Sequence, residues 1–281
     1  MNVFSKSDAM KFLYNYLLWS MVMLSALLTH AQQPADTVPA HTTFTLQSQP
    51  LAEVRVINVW LPDNYVQDAK PLPVLYMPDG GVKEDFPHIA NTLASLIRTG
   101  KIPPVMLVGI ENTQRRRDLT GPTEVEKDKT IAPVVGGSAQ FRAFIALELM
   151  PEIERRYHTN EKKAIIGESL AGLFVTETFL LEPCLFDVYI AFDPSLWWNG
   201  GKLLGEARAY LDKQSPSGKA FWFAASGAKD IYGNAGKLAT VFKERNSPGF
   251  LWEYLPARKE KHHTIFRATK ETGLIWALSK L

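Results

Sequence analysis

Short apolar runs alternate with longer stretches in which apolar residues recur every three or four positions. Strand-like runs fall at 54–61, 73–77, 105–110, 164–167, 188–192, 221–225 and 250–255. Each is rich in β-branched or aromatic residues and too short for a typical helix. The stretch 83–99 has helical spacing, with Phe86, Ile89, Ala90, Leu93, Leu96 and Ile97 on one face, and Gly100 stops it. Further helices are predicted at 141–157, 170–181, 202–212, 235–245 and 267–280. Pro151 should kink the first of these, because it lacks an N–H and its ring crowds the preceding turn.

Strands separated by helices of ten or more residues imply βαβ units. The predicted class is therefore α/β, with a mostly parallel, twisted sheet and helices on both faces. No internal repeat or low-complexity linker divides the chain, so 50–281 reads as one catalytic-size domain, preceded at 32–49 by an extension and first strand region. The longest segment without periodicity is 111–136, which is charged and carries Gly121-Pro122. A long loop of this kind in a compact domain is often functional.

The N-terminal pattern is of another sort. Lys6 and Lys11 precede an apolar run from Leu17 to Leu28, and Thr29-His30-Ala31 places small residues where a signal peptidase cuts. Residues 1–31 are read as a cleavable secretory signal. The alternative, an uncleaved anchor, needs a span of about 20 apolar residues, more than this run supplies. A secreted or periplasmic location follows, with no stable membrane span after cleavage. The 281 residues carry 31 Lys and Arg against 29 Asp and Glu, a formal charge of +2 with no basic stripe. That argues against a nucleic-acid partner. Cys184 is the only cysteine, so no disulfide can form within the chain.

The candidate chemistry centres on Gly167-Glu168-Ser169-Leu170-Ala171-Gly172, which joins a predicted strand to a predicted helix. A nucleophile on such a turn needs small neighbours, because strand and helix approach closely there. Ser169 is the candidate nucleophile, with Ala171 standing where glycine is more usual. Serine needs a base, and after Ser169 only His262 and His263 are available. Adjacent residues of an extended segment point to opposite sides, so the two histidines do not suit one metal ion. No metal or cofactor is expected. The acid should orient the imidazole and balance its charge. Asp230, after the 221–225 strand, is the first candidate and Asp193, after 188–192, the competitor. Ser, then Asp, then His is the chain order of the α/β-hydrolase fold. The backbone N–H groups of Leu170 and of Gly80, in Asp79-Gly80-Gly81, are the expected oxyanion donors.

Several further motifs are familiar. Trp60-Leu61-Pro62 and the stretch from Pro73 to Gly80 resemble the opening of the putative-esterase family, which includes siderophore esterases, esterase D, feruloyl esterases and mycolyltransferases. Val108-Gly109-Ile110, Arg115-x-x-Asp118-x-Thr120, Glu148-Leu149-x-Pro151, Tyr157-x-Thr159 and Pro194-Ser195-Leu196-Trp197-Trp198 resemble its siderophore-esterase branch. The resemblance implies an α/β-hydrolase with Ser169 as nucleophile. Glu260-Lys261-His262-His263-Thr264-Ile265 is similar to the family's terminal Glu-x-His-Gly pattern, which implies His262 as base. Gly227 to Asp230 resembles the family's acid position, although some siderophore esterases use a Ser–His dyad. Arg115 matches a position suited to an acidic or catecholate substrate, and Trp197 and Trp198 suit an aromatic wall. Asp193 departs from the more usual Ser before Pro-Ser-Leu-Trp-Trp.

The expected activity is carboxylic-ester hydrolysis through an acyl-serine. The expected substrate is a small-molecule ester, such as a siderophore trilactone, or a glycan-linked acyl group. An acyltransferase on the same fold and a non-catalytic ligand-binding protein are the alternatives.

Overall fold

The computed structural model describes residues 36–63, 65 and 70–281. The signal-like segment lies outside them. Within the unit Val38–Leu281, eight strands form one sheet: β1 Thr42–Ser48, β2 Glu53–Trp60, β3 Leu72–Pro78, β4 Met106–Ile110, β5 Thr159–Glu168, β6 Val188–Phe192, β7 Ala220–Ser226 and β8 Leu251–Ala257. Their spatial order is β1-β2-β4-β3-β5-β6-β7-β8. β2 runs antiparallel to β1 and β4, and every other pairing is parallel. This is the α/β-hydrolase arrangement that the alternation of elements predicts.

Among the described residues the α-helices are α1 Phe86–Arg98, α2 Arg115–Asp118, α3 Glu126–Ile131, α4 Ser138–Phe144, α5 Met150–Arg156, α6 Leu170–Leu181, α7 Trp198–Lys213, α8 Lys229–Arg245 and α9 Ile265–Leu278. α1 and α9 cover one face of the sheet, where Phe86, Ile89, Leu93, Phe266 and Leu274 pack on Leu75, Met77, Ile166 and Trp222. The other face is covered by helices that include α4, α6, α7 and α8, around Tyr76, Ile165, Tyr189 and Phe221. Neighbouring strand residues such as Leu75 and Tyr76 thus enter opposite cores, which is why the central strands are apolar on both faces.

Two segments differ from the sequence expectation. The predicted helix at 141–157 is α4 and α5 joined by a single π-helical stretch, Ile145–Leu149. Pro151, which has no N–H to donate, is the second residue of α5 and lies two residues beyond that π-helical stretch. The 111–136 loop is not structureless, for it contains α2 and α3. Its inner end is held by Arg55, fully buried on β2, which donates to Asp118 (2.6 Å), Thr113 (2.7 Å) and the Glu111 carbonyl (2.8 Å). Among the described residues no helix is long and apolar enough to cross a membrane.

Candidate active site

In an open parallel sheet, ligands bind beyond the carboxyl ends of the strands. The chemistry-bearing residues gather there: Asp79 after β3, Ser169 after β5, Asp193 after β6, Ser226 closing β7 and His262 after β8.

Ser169 joins β5 to α6 with φ 59° and ψ −115°, a backbone state that non-glycine residues seldom adopt. Surrounding bonds hold it: its N–H donates to the Phe192 carbonyl (2.9 Å), and its carbonyl accepts from Leu173 (2.9 Å) and Ser195 (3.1 Å). The small residues of the motif have separate duties. A Cβ on Gly167 would stand 2.7 Å from the Ala171 Cβ, and one on Gly172 would stand 2.9 Å from the Phe192 carbonyl oxygen. Glycine is therefore demanded at 167 and 172. Ala171 fits, fully buried, because Gly167 opposite it has no side chain.

The Ser169 hydroxyl lies 3.1 Å from His262 Nε2, and His262 Nδ1 lies 2.8 Å from Asp193 Oδ2. With Nδ1–H donating to the carboxylate, Nε2 is left to accept the serine proton. His262 is half-exposed and Asp193 fully buried. The bond to Asp193 raises the His262 pKa against the opposing effect of burial. Asp193 also accepts the Ser226 N–H (2.5 Å) and the Ser226 hydroxyl (2.7 Å), so the buried carboxylate is held by three donors. The Ser195 hydroxyl lies 3.4 Å from that of Ser169. In the sequence Ser195 stands out only as part of Pro194-Ser195-Leu196-Trp197-Trp198, with no role of its own, and Ser226, closing β7, carries no distinguishing pattern.

Two expected roles are corrected. Asp230 is exposed in the first turn of α8, where only its carbonyl is engaged, by Asn234. The carboxylate facing the imidazole is Asp193. The Gly80 N–H donates to the Ile110 carbonyl (2.9 Å) and so is committed away from any substrate. Gly80 is glycine for another reason, because a Cβ there would stand 2.3 Å from Gly109 Cα on β4. Trp198 is buried with its indole N–H donating to the Gly121 carbonyl (2.9 Å), and it lines a cleft of about 210 Å³ between α6 and α7. Trp197 packs beside it, the two ring centres 6.1 Å apart.

The remaining candidates stand nearer the reacting groups. Leu170 is the first residue of α6, so its N–H has no acceptor inside the helix and is turned to the strand ends. Arg115 grips Asp79 with two bonds, 2.6 and 2.8 Å, and its charge reaches His262. Glu168, half-buried beside the nucleophile, has its pKa raised to about 7, first by burial and then by Asp85. His263 is exposed. Among the described residues no group of three or more His, Cys, Asp or Glu side chains is gathered to hold a metal ion.

Such an arrangement can activate a serine hydroxyl toward a carbonyl carbon. The model of the family described as "Putative esterase" matches residues 48–272. The chain belongs to that family. Among curated relatives, it is 36% identical over 147 residues to the ferri-bacillibactin esterase BesA of Bacillus subtilis, covering 45% of this chain and 49% of that protein. It is 32% identical over 169 residues to the siderophore triacetylfusarinine C esterase of Aspergillus fumigatus, covering 54% and 56%. The match thus spans about half the length of these curated relatives. Among solved structures, an IroE-like serine hydrolase from Shewanella oneidensis superposes with a TM-score of 0.78 at 25% identity, covering 84% of this chain and 79% of that one. In this esterase-family chain the serine, the imidazole and the acid come from the ends of β5, β8 and β6.

Proposed function

We propose that this chain is a serine carboxylic-ester hydrolase in which Ser169, His262 and Asp193 form the catalytic triad. The observation that carries the reading is the continuous bond path from the Ser169 hydroxyl through His262 to a buried carboxylate. Ser169 Oγ attacks the ester carbonyl carbon while His262 Nε2 takes its proton. The carbonyl oxygen becomes an oxyanion facing the Leu170 N–H at the head of α6. As the tetrahedral intermediate collapses, the C–O bond to the alcohol breaks and His262 returns the proton to the leaving oxygen. Water, deprotonated by the same imidazole, then attacks the acyl-serine and releases the acid. Asp193 holds Nδ1–H throughout and balances the imidazolium.

Family membership and the two curated relatives named for siderophore esters support a siderophore-type ester as the substrate. The Lys6 to Ala31 pattern supports secretion, and N-terminal sequencing of the mature protein should then read Gln32 first.

The test is labelling with a fluorophosphonate probe, followed by hydrolysis of p-nitrophenyl esters and of a panel holding a siderophore trilactone, a feruloyl ester and an acetylated sugar. The native chain should label and turn over, and Ser169→Ala should do neither. Full activity in Ser169→Ala would overturn the assignment. Repeating the reaction with added alcohols separates water from a hydroxyl acceptor.

A further inference from the structure

The turn that follows β6 meets the reacting groups twice. Asp193 takes its first position, with φ 45°, and bonds His262. Ser195, two residues on, brings its hydroxyl within 3.4 Å of Ser169 Oγ. Backbone bonds fix this turn against the nucleophile. Phe192, the last residue of β6, accepts the Ser169 N–H (2.9 Å), and the Ser195 N–H donates to the Ser169 carbonyl (3.1 Å). The Ser195 carbonyl accepts from Trp198 (3.1 Å), and α6 presses so closely that a Cβ on Gly172 would stand 3.1 Å from Pro194 Cα. Ser195 is buried, and among the described residues the Ser169 hydroxyl is the one partner of its own hydroxyl. The direction of that bond follows from the neighbours. His262 gives Nδ1–H to Asp193, so Nε2 accepts and the Ser169 proton is committed to it. Ser169 Oγ keeps lone pairs, and Ser195 is turned to donate into them.

We propose that Ser195 is a catalytic residue whose hydroxyl stabilises charge on Ser169 Oγ, both when that oxygen attacks the ester and when it leaves the acyl group. The proposal rests on the reading of Ser169 as an esterase nucleophile. In the resting site Oγ belongs to a neutral alcohol and the bond is loose, since hydroxyl pairs usually stand about 2.7–2.8 Å apart. Catalytic bonds of a free enzyme are often long and tighten during reaction. As His262 takes the Ser169 proton, Oγ gains negative charge. A hydroxyl bonded to an anionic oxygen draws in to about 2.5–2.7 Å and roughly doubles in strength. The bond is then stronger in the transition state than before it, which is the condition for accelerating the step. In the acyl-enzyme Oγ is an ester oxygen, a poor acceptor. Once water has added and the C–Oγ bond breaks, the bonding pair returns to Oγ, and Ser195 meets that charge until His262 delivers the proton. Ser195 keeps its own proton throughout. The Leu170 N–H serves the carbonyl oxygen and Ser195 the serine oxygen, so the two donors have separate tasks.

Three substitutions test this. Ser195→Ala removes the donor, Ser195→Cys fills the space with a weak one, and Ser195→Thr keeps the hydroxyl. With p-nitrophenyl butyrate the first two should lose about ten- to hundredfold in kcat and as much in kcat/KM, the pattern of an interaction made only in the transition state. Ser195→Thr should stay within about fivefold of the native rate, because its hydroxyl still donates. A second comparison separates the oxygen from the backbone. In a Ser169→Cys protein, with the exposed Cys184 changed by Cys184→Ser so that one thiol reacts, the nucleophile is sulfur, a weak acceptor. There Ser195→Ala should alter the rate of the p-nitrophenol burst by less than about threefold. Three results overturn the proposal while leaving the esterase reading in place: native rates in both Ser195→Ala and Ser195→Cys, a loss in Ser195→Thr as large as in Ser195→Ala, or a loss in the Ser169→Cys background equal to that with serine. Ser195→Cys and Ser195→Thr occupy the space that alanine empties, so a misfolded Ser195→Ala leaves the test intact. No labelling and no turnover by the native chain sinks both readings.

Discussion

Ser226 and Asp193 stand at the ends of adjacent strands, and Ser226 donates both its N–H and its hydroxyl to the one carboxylate. The hydroxyl shares Oδ2 with His262, so the two donors compete for the same oxygen. β7 therefore supplies the cradle for an acid that β6 carries.

Removing the Ser226 hydroxyl takes away a bond to a charged group, of the kind that contributes about 1.5–3 kcal/mol. Asp193 then becomes more basic and holds the imidazole proton more tightly. Ser226→Ala should lower kcat about tenfold, and the acidic limb of the kcat/KM profile should move to higher pH. A fall in kcat with an unmoved limb would mean that Ser226 serves packing alone. A pH-rate series on p-nitrophenyl butyrate for both proteins decides it.

The identity of the acid is tested by a pair of substitutions. Asp193→Asn keeps the shape of the side chain but lets its amide turn a donor toward His262 Nδ1, which disfavours the tautomer that accepts from serine. The expected loss in kcat is about 10³–10⁴-fold. Asp230→Asn, on an exposed helix start, should stay within about twofold of the native rate. If the two variants behave alike, the site works as a Ser–His dyad.

The sequence was legible where chemistry and spacing coincide. The strand alternation yields the sheet, and Ser169 and His262 are recognisable because a strand–turn–helix motif and a terminal Glu-x-His pattern frame them. Asp230 looked equally well framed, following a strand with Gly227 in between. What decided against it is a distance between strand ends, which no local pattern records. Asp193 itself carries a legible signal, an acid where Ser is more usual before Pro-Ser-Leu-Trp-Trp, joined to an aspartate backbone at φ 45° that only the structure reveals. Gly80 misled for a related reason. A glycine after β3 fits an oxyanion loop, but the residue is small because β4 presses against it.

Activity and stability should respond to pH in opposite senses near this site. His262 must be neutral to accept the serine proton, and Asp193 raises its pKa above the ordinary 6.5. kcat/KM should therefore climb with pH through a midpoint above 6.5. Glu168 titrates near 7 in the folded chain against an ordinary 4.5. Both groups bind protons more tightly folded than unfolded, so the stability they contribute is present in acid and lost as pH rises through the folded values. Replacing both, as Glu168→Gln with His262→Gln, should make Tm fall less between pH 5 and pH 8 than it does in the native chain, by roughly the few degrees that correspond to about 1 kcal/mol in a chain of this size. Parallel Tm curves for the two proteins would refute the assignment of this linkage to the pair.

Asp118 belongs to the motif that resembles siderophore esterases, yet its carboxylate is turned inward. It is fully buried, accepting from Arg55 at 2.6 Å and from Arg117 at 2.7 Å. Glu53 also meets both arginines, and despite partial burial these donors, with Thr113, bring its pKa down to about 2. Arg55 is held between Phe141 and this acid pair, with no route to water for its charge. Asp118→Ala leaves that guanidinium short of its buried counter-charge, a change that typically costs about 3–5 kcal/mol. Urea unfolding should show a loss of that size. Because α2 ends at Asp118 and carries Arg115, the variant should also loosen the Arg115–Asp79 clamp beside His262. A variant with native urea midpoint would show instead that Glu53 alone suffices to hold Arg55.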